Sequence, residues 1–149
     1  MGVNPAVRGR RVALDTVGFI YFIEEHPDYM PLVEPLFAAA DNREREIVTS
    51  ALTLLEVLVV PYRAGDRVLT ERYEALLTRS RGVRLIEIDR PQLHAAALLR
   101  AQHRVRTPDA IQLSAAMLHR CTSFVTNDRK LPAIPGLDIV QLGDLLKET

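Results

Sequence analysis

Four carboxylates in this chain stand inside, or at the end of, strongly apolar segments. They are Asp15 in RRVALDTVGFIYF, Glu56 in ALTLLEVLVV, Asp109 in RTPDAIQLSAA and Asp128 in SFVTNDRKL. An ionised carboxylate in such surroundings is costly unless it is paired or binds a cation. Gathered without a cation the four would repel: two like charges about 5 Å apart cost roughly 3 kcal/mol at an effective dielectric of about 20. The pattern therefore points to a shared divalent cation, and all-oxygen ligands suit Mg2+ or Mn2+ better than zinc. Such a cation polarises a phosphoryl oxygen and activates water for in-line attack, which is phosphate-ester chemistry.

Each acid has a plainer use when taken singly. Asp15 suits the N-cap of a following helix. Glu56 could pair with a buried arginine. Asp109 lies in a helix first turn, where the dipole favours negative charge. Asp128 follows an asparagine, a common turn pair. The argument for a joint role rests on where the elements would bring them.

Those elements read as alternating strands and helices. Arg11 to Leu14 is a short strand closed by Asp15, and Thr16 to Glu25 has helical spacing until His26-Pro27-Asp28 breaks it. A helix follows over about Met30 to Ala40, then a strand at Ile47 to Thr49. Ser50 caps a helix that runs through Val60 and can pass Pro61 with a kink. Gly65-Asp66 turns the chain into a helix ending near Arg79. Val83 to Ile88 is a strand, and Pro91 to His103 a helix. Thr107-Pro108 starts another helix with the hydroxyl at the N-cap, reaching His119. Ser123 to Thr126 and Asp138 to Val140 are strands, and Gly143 to Lys147 is a last helical turn. Strands alternating with helices of this length predict an α/β fold, a parallel sheet between helical layers. In such sheets the functional crevice lies beyond the carboxyl ends of the strands, where Asp15 and Asp128 fall. Glu56, flanked by Leu54, Leu55, Val57 and Leu58, is expected to point into a lined cavity.

Composition sets outer bounds. A chain of 149 residues, 48% hydrophobic, fits one domain, with a flexible leader over 1–10 and the domain over 11–149. Nineteen Lys+Arg balance nineteen Asp+Glu, which argues against a uniformly basic nucleic-acid binder but leaves room for a local basic rim. Only Lys130 and Lys147 are lysines, so the positive charge is almost all arginine, the better donor to phosphate. The lone Cys121 excludes an internal disulfide and points to a reducing, cytoplasmic compartment. No apolar run approaches a membrane span, and Asp15 interrupts the only signal-like start.

The four motifs together resemble PIN-domain ribonucleases, and among them the VapC-type toxins of toxin–antitoxin pairs. The likeness lies in LDTVGFIYFIE, SALTLLEVLVVPYRAGD, RTPDAIQLSAA, FVTNDRKL and the closing PAIPGLDIVQL, and covers about residues 11 to 146. The chain departs from the family's usual pattern at Val17, often polar there, and at Lys130, often a further acid. The resemblance implies a three-layer sandwich with five parallel strands, and an acidic Mg2+ or Mn2+ pocket of Asp15, Glu56, Asp109 and Asp128. It implies endonucleolytic RNA cleavage, with Thr126 and Asn127 as polar neighbours of Asp128. Arg106, Arg129 and Lys130 lie beside the motifs and could meet flanking phosphates. A small DNA-binding antitoxin as partner and a homodimer are also implied, with Tyr21/Phe22 or Leu32/Phe37 as possible contact surfaces. Two other readings stand beside it: a catalytically silent PIN-like binding module, and a metal-dependent phosphatase on another α/β fold.

Overall fold

The computed structural model describes residues 2–148, so Met1 of the leader and the terminal Thr149 lie outside it. Five short strands form one parallel sheet in the order β3-β2-β1-β4-β5. In chain order the elements are β1 (Arg11–Leu14), α1 (Thr16–Ile23), α2 (Met30–Asp41), β2 (Glu46–Ser50), α3 (Leu52–Ala64), α4 (Arg67–Arg79) and β3 (Val83–Ile86). They continue with α5 (Arg90–Gln102), α6 (Thr107–Leu118), β4 (Ser123–Thr126), β5 (Asp138–Gln141) and α7 (Leu142–Lys147). Val12 pairs with Ile47 on one side and Ser123 on the other. The order reverses at β1, so the crevice between the ends of β1 and β4 is the switch point of the sheet.

Strand alternation sorts the core into two layers. Val12, Leu14, Ile47, Val125 and Val140 face the cluster built with Phe19, Leu36, Tyr73 and Leu77. Ala13, Val48 and Phe124 face the other way, onto Ala96, Leu99, Leu113 and Ala116 of α5 and α6. Successive strand residues thus serve opposite faces, as the pleat requires.

Element ends differ from the sequence expectation for local reasons. Helix α1 stops at Ile23 because Glu25 takes a left-handed φ of 52°. Strand β3 stops at Ile86: the Glu87 carbonyl accepts from Gln92 Nε2 at 2.8 Å instead of a ladder partner. Thr107 is not the N-cap of α6. Arg106 holds that place, and the Thr107 hydroxyl accepts from Arg100 Nη1 at 2.9 Å. Ala51, rather than Ser50, caps α3, although the Ser50 hydroxyl does accept the Leu52 N–H. Helix α3 does run through Pro61 to Ala64. Within the leader, Val7 is buried and the Arg8 N–H donates to Ser123 Oγ at 3.0 Å.

Gly82 turns the chain into β3 at φ 77°, and a Cβ there would lie 2.3 Å from the Ala40 carbonyl oxygen. Backbone cannot swing aside as a side-chain tip can, so Gly82→Ala is expected to cost about 2–4 kcal/mol. The denaturant midpoint would report it, and an unchanged midpoint would show that the α2 end yields.

Candidate active site

The four acids arrive at one end of the sheet by three different routes. Asp15 leaves β1 directly into α1; its N–H donates to the Val125 carbonyl of β4 at 2.9 Å. Its Oδ1 caps α1 by accepting the Thr16 N–H at 2.8 Å, and its Oδ2 accepts from the Thr126 hydroxyl at 2.7 Å. The plain capping role and the clustered role therefore belong to the same carboxylate. Asp128 follows β4, and its N–H donates to the Thr126 oxygen at 3.0 Å. Thr126, wholly buried, thus joins Asp15 to Asp128 through a single hydroxyl. Asp109 comes in the first turn of α6. Glu56 comes from mid-α3, where its Oε1 accepts from the Thr16 hydroxyl at 2.7 Å.

Two of the four, Asp15 and Asp109, feel the charge of the others. Burial pushes the Asp15 carboxyl above the ordinary range, its two hydrogen bonds oppose that, and the charges of Asp109 and Glu56 push it further up. Asp109 is also raised, first by burial and then by Asp128, with Glu56 adding and Arg106 opposing. Among the described residues no Lys, Arg or His makes a salt bridge to any of the four. The mutual repulsion is left largely uncompensated by the protein.

Beneath the acids lies a polar layer that sequence reasoning did not single out. Gln112, 4% exposed, donates from Nε2 to Thr53 Oγ1 at 2.8 Å and reaches Thr16 Oγ1 at 3.4 Å, while its Oε1 accepts the Ser50 N–H at 3.3 Å. Thr53 in turn shares a 2.7 Å bond with Thr49. The signal was present: Thr53 stands three residues before Glu56, and Gln112 three after Asp109, each on the same helix face as its acid.

Other expected residues fall differently. Glu56 does not point into a cavity; it is exposed, because α3 packs through Thr53, Val57, Leu58 and Pro61 and leaves Leu55 at 62% and Val60 at 69% exposure. Asn127 turns away from the acids, donating to the Tyr21 hydroxyl at 3.1 Å and accepting the Gly143 N–H at 3.1 Å. Arg129 is tied to Asp144 at 2.7 Å, whereas Arg106 and Lys130 are exposed cations near the acids. Phe22 stacks on buried Phe37 with centroids 4.0 Å apart, so that pair belongs to the core and not to an exposed face.

The donor set suits a hard cation, being all oxygen and short of positive charge. Among the described residues, however, no three His, Cys, Asp or Glu side chains are grouped closely enough to hold a metal ion. Magnesium accepts this more readily than calcium or zinc, since it keeps several waters and takes one or two carboxylates with substrate phosphates.

The family model of the PIN domain matches residues 12–137. The chain belongs to the PIN domain family. No curated protein matches it in sequence. Several solved structures share its fold, among them the following three. VapBC2 from Rickettsia felis bound to a promoter DNA fragment gives a TM-score of 0.68 at 20% identity, covering 88% of this chain and 98% of that one. A toxin–antitoxin complex from Klebsiella pneumoniae gives 0.64 at 22%, covering 85% and 94%. DNA-bound VapBC from Salmonella typhimurium gives 0.62 at 23%, covering 90% and 99%. At such identities the likeness is one of fold. No helix among the described residues is long and apolar enough to cross a membrane.

Asp15 and Asp109 both titrate higher in the fold than in the unfolded chain. The stability this gives is complete below the unfolded carboxyl pKa near about 4 and is lost as pH rises through the folded values. Asp109→Asn in chelator at neutral pH should therefore raise the melting temperature. Solvent screening of a half-exposed group keeps the gain to about 2–4 °C, the response to roughly 1 kcal/mol. At a pH of about 3 the gain should vanish. A lower melting temperature at neutral pH would mean that Asp109 has a favourable partner instead.

Proposed function

We propose that this protein is a Mg2+- or Mn2+-dependent endoribonuclease, the toxin of a toxin–antitoxin pair. What supports the reading most is that Asp15 and Asp109, at the acidic end of the sheet, are both raised by burial and by the charges of neighbouring acids, while none of the four acids has a salt bridge among the described residues. One or two of Asp15, Asp109 and Asp128 would hold the cation directly and the rest through its waters, with Glu56 completing its surroundings or orienting water. Once bound, a divalent cation supplies charge neutralisation and water of lowered pKa for attack on a phosphodiester.

The chain's own part is positioning. Thr126 and the Thr16 N–H fix both oxygens of Asp15, so its orientation does not depend on a ligand. The Thr16 hydroxyl holds one oxygen of Glu56, and among the described residues no hydrogen bond engages the other. Gln112 and Thr53 support Thr16 from below. Arg106 and Lys130 stand at the rim, where flanking phosphates of an RNA strand would pass. Arg129, engaged by Asp144, is less available.

An unrestrained nuclease would damage its own cell, which favours a cognate small DNA-binding antitoxin covering the acidic groove. Among the solved structures with this fold, one from Klebsiella pneumoniae is a toxin–antitoxin complex and two are VapBC proteins bound to DNA. Leu55, Val60, Tyr62 and Val68 on α3 and α4, and Leu93, Leu98 and Met117 on α5 and α6, remain exposed and offer apolar surface for an antitoxin and for a homodimer.

The decisive assay is cleavage of single-stranded RNA with Mg2+ or Mn2+, wild type against Asp109→Asn. Loss of a charged group that acts on the reacting centre should lower the rate by at least about 100-fold. Equal rates would end the mechanism. Wild-type hydrolysis of a small phosphomonoester without RNA cleavage would favour the phosphatase reading, and no turnover of either would favour a silent binding module.

A further inference from the structure

The end of the sheet opposite the acids is lined by arginines. A cavity of about 380 Å3 there is walled by Arg10, Arg43, Arg45 and Arg81, with Glu46 and Gly82. Glu46 is already shared at 3.5 Å each by Arg11 and Arg84. Among the described residues none of the four wall arginines makes a salt bridge. Arg10 Nη1 donates to the Arg43 carbonyl at 3.1 Å and Arg45 Nη1 to the Val7 carbonyl at 2.6 Å. Those bonds orient two guanidiniums and leave most of their five N–H donors free. The acids close by in sequence, Asp41 and Glu44, are exposed and do not match this excess.

Topology turns the cavity into a row. Arg81 precedes β3, Arg43 and Arg45 precede β2, Arg10 precedes β1 and exposed Arg120 precedes β4, and these strands are neighbours in that order. Three strand spacings make the row about 14 Å long, too extended for one phosphate group. Arg43 and Arg120 both take left-handed φ, 61° and 56°, just after α2 and α6. Glycine is the usual residue at that place and would relieve the strain. Arginine at both places instead puts positive charge on this rim.

We infer that this arginine row is a second nucleic-acid contact, binding the phosphate backbone of an RNA strand at the rim opposite the acidic site. The choice of RNA over other polyanions rests on the nuclease reading; the binding surface itself does not. Arginine forks pair bidentately with phosphate oxygens, and a row of them follows a polyanionic chain without reading its sequence.

The test uses the full chain in EDTA, so that binding is read apart from cleavage. Fluorescence anisotropy with a labelled single-stranded RNA is followed against salt for wild type and for R43G/R81Q. Neither residue makes a side-chain hydrogen bond or salt bridge among those described, and glycine suits the backbone at 43. Affinity should fall about 5- to 20-fold at low salt, and the slope of log K against log salt should shrink by about 1.4, some 0.7 for each lost phosphate contact. The melting temperature should hold or rise. Unchanged affinity and slope would overturn the inference, leaving the arginines as partners of helix C-termini, and the melting temperature would then fall. Loss of binding to polyglutamate with RNA binding intact would also overturn it, assigning the rim to an acidic protein. If RNA cleavage is absent in wild type but the variant loses RNA affinity, the nuclease reading fails and this surface stands.

Discussion

Asp15 is the constraint around which the rest is arranged. It sits where β1 ends at the reversal of strand order, so its backbone bonds β4 while its side chain reaches the Thr126 hydroxyl and the start of α1. Burying a carboxylate there is unfavourable, and the chain offsets part of the cost with hydrogen bonds to both oxygens and not with a cation. A basic partner would have satisfied the charge and closed the site. Two neutral donors hold the group in place and leave its charge unspent.

Fold polarity explains why this can be afforded and why charge separates on a chain of zero net charge. All strands run one way, so the helices that follow strands (α1, α3, α5 and α7) begin at the acidic end, and those that precede strands (α2, α4 and α6) finish at the other. Asp15 caps α1 and Asp109 opens α6, both at the positive ends of helix dipoles. Arg43, Arg79 and Arg120 stand at or just past the ends of α2, α4 and α6. The dipoles permit this sorting without requiring all of it: Arg10 and Arg45 belong to no helix end, and their presence makes the basic rim more than dipole compensation.

Much of this was readable from the sequence, and the failures have physical causes. Short apolar runs between helical stretches are enough to give five parallel strands, because parallel strands must be buried on both faces. The places of Asp15 after β1, Asp109 in the first turn of α6 and Asp128 after β4 were legible because apolar runs and turn residues mark strand ends and helix starts. Glu56 was misread because mid-helix apolar neighbours do not say which side of the helix is covered; only packing against α4 and α6 decides that. Asn127 was misplaced for a similar reason. Residues after a strand alternate in direction, so Thr126 faces Asp15 and Asn127 turns to Tyr21 and α7. The arginine rim was invisible to a count of charges, since its members are scattered over more than 70 positions and meet only through strand order.

The buried layer under the acids sets the precision of the site. Gln112 lies on α6, Thr53 on α3 and Thr16 on α1, so one amide and two hydroxyls link the three helices that deliver Asp109, Glu56 and Asp15. Each bond is modest, about 1 kcal/mol net. Their joint effect is geometric: no helix can slide without breaking a bond shared with another, and an unsatisfied polar group at that depth costs more than the bond contributed. An apolar layer of equal volume would pack as well but would let the helices settle in several registers. Polar contacts are directional, and here they convert the packing of three separate helices into a fixed spacing between their carboxylates.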